Sequence, residues 1–326
     1  MTGLSRTSGR EGERLSLSVV SPCYNEAPIV DSFYRELKGV LTSLAPHVHE
    51  IIFVDDGSTD STLDVLNRLA TADEAVRVYS FSRNFGHQVA LSAGIDVATG
   101  NVLVMLDSDL QHPPALIADM LALWEQGFDV VSARRTTTAG VSWTKRLTSR
   151  TFYRVINWLS DTPIPDGAAD FCLLSARAQA ALRAMPERHR FLRGMVAWIG
   201  FSRAYVPYEA PRRSGGESKY TVFRMLSFAR EAVFSFSAAP LRFATRGGTI
   251  VAACGGVYLF YVLGRYFTLG DLARGWGSLI ATVLILGGVQ LVFIGLIGEY
   301  LVRVFEEAKG RPLYLFKQRP PSRGTS

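Results

Sequence analysis

Between Gly275 and Gly298 the chain runs for 24 residues without a charged side chain, and between Gly247 and Gly264 it does so for 18. At 1.5 Å per residue these stretches make about 36 and 27 Å of helix, against a hydrocarbon core roughly 30 Å thick. Both can cross a bilayer, the shorter with help from its flanks; the alternative is a pair of helices buried in a soluble core. The mean hydropathy of +0.15 is high for a soluble enzyme and comes from this crowding of apolar residues into the last third of the chain. The expectation is therefore that part of the protein lives in lipid.

The spacer Arg265 to Arg274 is too short to hold a domain, so the two runs, about 247–267 and 275–298, predict a transmembrane hairpin within 247–302 with both outer ends on one side. Arg242 and Arg246 precede it and Arg303, Lys309, Arg311, Lys317 and Arg319 follow, whereas the spacer offers Arg265 and Arg274 beside Asp271. This asymmetry places the preceding domain, the basic tail 303–326 and both termini on the cytoplasmic side of the cell membrane. Upstream, Val222, Leu226, Ala229 and Val233 recur at helical spacing, with Arg224, Ser227 and Glu231 on another face. Residues 216–246 thus read as amphipathic juxtamembrane helices ended by Pro240, with ordinary packing helices as the alternative. Residues 1–14 form a polar arm lacking the apolar run of a secretory signal. The three cysteines, Cys23, Cys172 and Cys254, are odd in number and far apart, which supports neither a disulfide framework nor a zinc site and fits a reducing compartment.

Residues 15–215 have a different grammar. Short β-rich runs at 15–21, 50–54, 76–81, 101–106 and 128–132 alternate with helical spacing at 29–44, 61–70, 87–98 and 114–126. That alternation predicts an α/β domain with a parallel sheet, whose ligands sit beyond the carboxyl ends of the strands. Polar clusters fall at those ends: Tyr24-Asn25-Glu26, Asp55-Asp56-Gly57-Ser58, Ser82-Arg83-Asn84 and Asp107-Ser108-Asp109. Four loops are therefore expected to converge on one rim.

Asp107 and Asp109 emerge at i, i+2 spacing after the apolar strand VLVML, and Gln111 offers a third oxygen before Pro113 and Pro114. Hard divalent cations such as Mg²⁺ take one or two carboxylates together with substrate phosphate oxygens, so this motif implies a phosphate-bearing substrate. Asp55 and Asp56 have two readings: a turn and helix cap with Ser58 or Thr59, or acceptors for a nucleobase or a ribose.

Taken in order and spacing, SPCYNE, VDDGSTDST, FSRNFGH and LDSDLQHPP resemble the family 2 glycosyltransferases of GT-A fold, with a Rossmann-like, mainly parallel sheet. The later segments RFLRGMVAWIGF, RRSGGESKY, SFSAAPLR and IGEYLVRVFEEAKGRPLY resemble the membrane-bound polyprenyl-phosphate branch, including dolichyl-phosphate mannose and glucose synthases. The resemblance covers about residues 15–316. It implies that Pro22, Tyr24, Glu26 and Asp56, with Asp107 and Ser108, hold the nucleotide. It implies that Asp107, Asp109 and Gln111 hold Mg²⁺ or Mn²⁺, and that Arg134, Arg212, Arg213, Ser218 and Lys219 meet the diphosphate and the acceptor phosphate. Asp109, Asp170 and Arg134 are the catalytic set so implied, Asp170 either as a base or as a group that orients the sugar. Cys172 stands where the family usually has Arg and Gly167 where many members have a second acid, with Asp166 beside it, a departure that bears on the donor sugar more than on the reaction.

The implied activity is inverting transfer of a hexose, glucose first, from a UDP-sugar to undecaprenyl or dolichyl phosphate; mannose or another sugar from a different nucleotide is the alternative. A lipid phosphate is already anionic near neutral pH, so the chemistry asks for neutralisation of the leaving diphosphate more than for a strong base. The histidines carry less: His112 reads as structural, and His87 and His189 are phosphate-contact candidates without an assigned role. A processive polysaccharide synthase would call for a QxxRW segment, and a nicotinamide oxidoreductase for GxGxxG after a strand; neither is present. The intact Asp107, Asp109 and Gln111 argue against a non-catalytic membrane scaffold. The net charge of +6 is modest and explained by topology, so nucleic acid is not an expected partner. The resemblance to enzymes that can assemble through their membrane helices and tails admits a homo-oligomer and leaves the oligomeric state open.

Overall fold

The computed structural model describes residues 15–44, 48–135, 168–208, 239–269 and 276–320. They fall into two compact units: a sheet domain that includes the segment after Gly310, and a pair of long helices.

In the sheet domain, β1 (Ser16–Cys23), β2 (Val48–Asp55), β3 (Val76–Phe81) and β4 (Val102–Met105) alternate with α1 (Ala27–Ser43), α2 (Thr62–Ala72), α3 (His87–Val97) and α4 (Leu116–Glu125). Then come β5 (Val130–Arg135), β6 (Ala168–Ser175), α5 (Ala176–Arg183), α6 (Leu192–Trp198), β7 (Arg203–Tyr208) and, near the C-terminus, β8 (Phe316–Gln318). All eight strands form one sheet in the order β7-β5-β6-β4-β1-β2-β3-β8. The β1 to β4 core is parallel, β6 and β8 run antiparallel to their neighbours, and β7 lies parallel to β5. The expected mainly parallel α/β domain is present. β6, β7 and β8 were not among the expected strands, and β8 lies in the stretch expected as a basic tail.

Strands buried on both faces need continuous apolar runs, and β1 shows the division of labour. Leu17 and Val19 join the core formed with α1, α2 and α4. Val20 points to the opposite face, against α3, where a Cβ on Gly94 would come within 2.1 Å of its Cγ1. α1 buries Val30, Phe33, Leu37 and Leu41, a stripe at helical spacing, with a proline in its first turn where the missing N–H is harmless.

Register sets the rim. Cys23 lies opposite Asp55 and Asp55 opposite Ser80, so β1, β2 and β3 end level with one another. β6 runs the other way, with Cys172 opposite Met105, which brings its start and Asp170 to the same edge. Sequence order alone does not reveal that pairing.

The second unit holds α7 (Ala239–Leu269) and α8 (Trp276–Ala308), which meet where a Cβ on Gly248 would lie 3.9 Å from Phe293. Among the described residues one stretch, Ile285–Ala308, is long and apolar enough to cross a membrane. Pro240 sits in the first turn of α7, and the amphipathic segment expected to end there lies outside the described residues.

Gly57 adopts φ +69°, and a Cβ there would sit 2.4 Å from the Arg83 carbonyl carbon, because the β2–α2 turn lies directly on the β3–α3 loop. Gly57→Ala is expected to lower unfolding free energy by about 1–3 kcal/mol, read by denaturant titration; an unchanged midpoint would show that the two turns are not so tightly joined.

Candidate active site

The rim is built from loops that hold one another. Asn25, at φ 54°, accepts the Thr59 N–H on Oδ1 at 2.8 Å and donates its own N–H to Ser58 Oγ at 3.0 Å. Glu26 donates its N–H to Thr62 Oγ1 at 2.8 Å, fixing the start of α1 to the start of α2.

Asp55 and Asp56 have separate tasks. Asp55, 1% exposed, accepts the Ser58 N–H at 3.1 Å and the Ser80 hydroxyl at 2.7 Å, which makes it a structural acid of the turn. Asp56 accepts the amides of Phe85 at 2.7 Å and Gly86 at 3.0 Å. Burial raises its carboxyl above the ordinary value even though these amides favour the charged form. The residue expected to meet the nucleoside thus already anchors the β3–α3 loop, and any ligand would share it.

Ser108 is buried, so it is held inside the rim and not displayed on it. Its hydroxyl faces the Pro22 carbonyl at 3.0 Å and contacts the Glu26 carboxyl closely, while the Cys23 thiol donates to it at 3.6 Å. One hydroxyl carries one proton and cannot serve both acceptors. The Pro22 carbonyl and the Glu26 carboxyl therefore compete for it. Burial pushes Glu26 up to about 6, with the Asp109 and Asp107 carboxylates adding to the rise and the hydrogen bond from Ser108 opposing it.

Asp107, Asp170 and His87 come together, one ligand atom of each lying within 4.8 Å of the others. His87 Nε2 is 3.4 Å from Asp107 Oδ1 and 3.8 Å from Asp170 Oδ2. Burial works against the charge on His87, but the Asp170 and Asp107 carboxylates outweigh it and raise the imidazole above its ordinary value. Asp170 is gripped in fork geometry by Arg193, at 2.6 Å through Nε and 2.8 Å through Nη2. Against its burial, His87 and Arg193 hold this carboxyl well below the usual range.

Asp107 is the exception. Its Oδ1 is buried and accepts no hydrogen bond among the described residues, and burial together with Asp170 and Asp109 raises its pKa despite the nearby histidines. A buried carboxylate oxygen that accepts no hydrogen bond, beside a second carboxylate and an imidazole, fits a divalent cation. Of the expected metal trio only Asp107 belongs to this group. Asp109 and Gln111 lie on the next turn, where Asp109 Oδ1 accepts the Gln111 N–H at 3.0 Å and Leu110 between them takes the left-handed φ of 58°.

His112 packs on Phe171 and Tyr208 at 5.8 and 5.7 Å between ring centroids, in keeping with a structural reading. Tyr24 is 45% exposed at the rim. Arg134 is exposed on β5, opposite Ala168 and above the Tyr205 ring at 5.8 Å. Arg212, Arg213, Ser218 and Lys219 lie outside the described residues. His87 and Arg193 are the rim residues that sequence reasoning left without a role. The signal for His87 was its place just after a strand-end cluster, in FSRNFGH.

The pattern described as Glycosyl transferase family 2 matches residues 18–179. An uncharacterized glycosyltransferase of Synechocystis sp. is 40% identical over 301 residues, 92% of this chain and 94% of that protein. The chain belongs to glycosyl transferase family 2. The family's enzymatic activity is glycosyl transfer, and a bactoprenol glucosyl transferase of Shigella phage SfX is 36% identical over 94% of this chain and 100% of its own length. A solved mannosyl-3-phosphoglycerate synthase from Rubrobacter xylanophilus aligns at 21% identity with a TM-score of 0.45, covering 72% of this chain and 75% of that one.

Glu26→Gln removes a titration whose sign is fixed. With the folded carboxyl at about 6 against an ordinary 4.5, protonated Glu26 stabilises the fold, fully below pH 4.5 and no longer once the pH has risen through about 6. The melting temperature of the parent is expected to fall relative to Glu26→Gln across that window. A difference independent of pH would contradict the buried, protonated carboxyl.

Proposed function

We propose that this family 2 glycosyltransferase moves a hexose, with glucose as the first choice, from a UDP-sugar to a polyprenyl phosphate at the cytoplasmic face of a membrane. The observation that carries the reading is the buried Asp107 Oδ1, which accepts no hydrogen bond among the described residues and faces the His87 imidazole at 3.4 Å, on a rim shared with Asp109, Asp170 and Arg134. The sugar and the acceptor are supported by relatives named bactoprenol glucosyl transferase, alike over nearly the whole chain. The membrane is supported by Ile285–Ala308 and by the uncharged run within α7, here proposed as the two spans of a hairpin with both outer ends cytoplasmic.

In this reading Pro22, Tyr24 and Glu26 line the nucleoside end, and Asp107, Asp109 and Gln111 would hold Mg²⁺ or Mn²⁺. Such a cation supplies charge neutralisation for a departing diphosphate. Arg134, with Arg212, Arg213, Ser218 and Lys219, would meet phosphate oxygens, arginine suiting forked contacts. The lipid phosphate is anionic without help, and both oxygens of Asp170 are engaged by Arg193. Asp170 is therefore assigned to orienting the sugar and stabilising positive charge at the anomeric carbon, and not to proton removal. A single displacement would invert the anomeric centre.

Purified protein incubated with Mg²⁺, undecaprenyl phosphate and radiolabelled UDP-glucose is expected to yield one labelled lipid, identified by mass spectrometry and anomeric analysis. No labelled lipid with any of several nucleotide sugars would overturn the proposal. Asp109→Ala is expected to abolish metal-dependent UDP binding, read by calorimetry with and without chelator. Arg193→Met leaves Asp170 without its fork and is expected to lower turnover about 100-fold, a loss of the size seen when one preorganised electrostatic contact is removed. Unchanged turnover would show that the pair only supports the fold.

A further inference from the structure

Residues 311–319 follow α8 in the chain and return to the sheet domain, where they seat on the loop that reaches both Asp56 and His87. β8 pairs antiparallel with β3, Ser80 opposite Gln318 and Phe81 opposite Phe316, and the Ser82 N–H donates to the Leu315 carbonyl at 2.9 Å. A three-residue edge strand is weak by itself, so the side chains matter. Tyr314 stacks on Phe81 with ring centroids 5.2 Å apart and 21° between planes, and Phe316 lies 5.7 Å from Phe81 and 5.2 Å from Tyr79. The Tyr314 hydroxyl donates to Asp96 on α3 at 3.0 Å, and the Gln318 amide to Asn67 on α2 at 2.8 Å. Arg188 donates to the Arg311 carbonyl.

The contacts continue toward the rim. Phe81 meets Phe85 edge-on at 5.5 Å, and Arg83 lies over the Phe85 ring at 4.5 Å. The amides of Phe85 and Gly86 bind Asp56, and the next residue is His87, 3.4 Å from Asp107. Ser82, Arg83 and Asn84 are exposed, so the loop is not held by burial of its own side chains. It is held from one side by Asp56 and from the other by the returning segment, and Gly86, at φ +103°, would let it swing if either hold were lost.

We propose that Tyr314 is a positioning residue for the rim: through its stack on Phe81 it fixes the β3–α3 loop, and so keeps His87 turned toward Asp107, just past β4, and Asp170 of β6. A segment that sequence reading assigns to a basic tail thereby acts on the reaction without touching substrate. The turnover part of this inference rests on the glycosyl transfer proposed above; the loop-fixing part does not.

The test uses the full chain, comparing parent, Tyr314→Ala and Tyr314→Phe, the last keeping the ring stack but losing the bond to Asp96. Hydrogen exchange read by mass spectrometry on a peptide covering 82–91 is expected to quicken in Tyr314→Ala and to stay near the parent rate in Tyr314→Phe. Turnover of sugar onto lipid phosphate is expected to fall about 10- to 100-fold in Tyr314→Ala, the cost of a slight misplacement of reacting groups, and to be restored in Tyr314→Phe. The donor KM is expected to change little, because Pro22 pairs with β2 at the end of β1, and the following Tyr24–Glu26 turn is locked to Ser58, Thr59 and Thr62 and not to the returning segment. If Tyr314→Ala does not fold, Tyr314→Leu keeps apolar bulk without the stack and takes its place. Unchanged exchange at 82–91 overturns the proposal, as does a raised KM with unchanged turnover. A parent protein that transfers no sugar counts against the glycosyl transfer reading, and the exchange comparison still decides the brace.

Discussion

A carboxylate taken out of water has to find hydrogen-bond donors or an opposite charge, and the rim of this sheet is organised by that requirement. Parallel strands ending in register deliver Asp55, Asp56 and Asp107 to one edge, and the antiparallel β6 adds Asp170. Asp55 is satisfied by its own turn and by Ser80, Asp56 by the amides of the next loop, and Asp170 by Arg193. Each of these bonds also ties a loop in place, so charge compensation and loop geometry are one and the same. Among the described residues Asp107 Oδ1 accepts no hydrogen bond and faces the His87 imidazole at 3.4 Å.

That asymmetry separates support from chemistry among residues of one type. The acids with complete donor sets are committed to the scaffold or to orientation, whereas Asp107 keeps a capacity that a cation and a substrate can use. Glu26 is a third case, a carboxyl held high by burial that competes with the Pro22 carbonyl for the Ser108 proton. For the proposed reaction this division is economical: the nucleophile arrives already charged, and the rim has only to align it and offset the charge that leaves.

Much of the scaffold was legible in the sequence. The first four strands and helices fall within a few residues of their expected limits, because doubly buried strands need apolar runs and amphipathic helices need periodic ones. The convergence of Asp55-Asp56 and Asp107-Ser108-Asp109 on one edge follows from parallel topology alone. The strands β6, β7 and β8 were not legible. β8 has only three residues, and all three strands depend on partners far away in the chain. Arg193 was given no role and His87 only a candidate phosphate contact for the same reason: each gains meaning from Asp170, which stands 83 positions from His87 and 23 from Arg193.

By itself the sequence determined the alternation of strand and helix, the family, the acids of the rim and the long apolar runs near the C-terminus, since each is written in local spacing or residue type. Only the tertiary structure decided which acid is satisfied and which is not, that Asp56 anchors a loop, that Ser108 is buried, and that Tyr314 and Phe316 return to brace the β3–α3 turn. Those outcomes depend on strand order and register, which are set by long-range pairing and by the burial of both sheet faces. No local pattern encodes them.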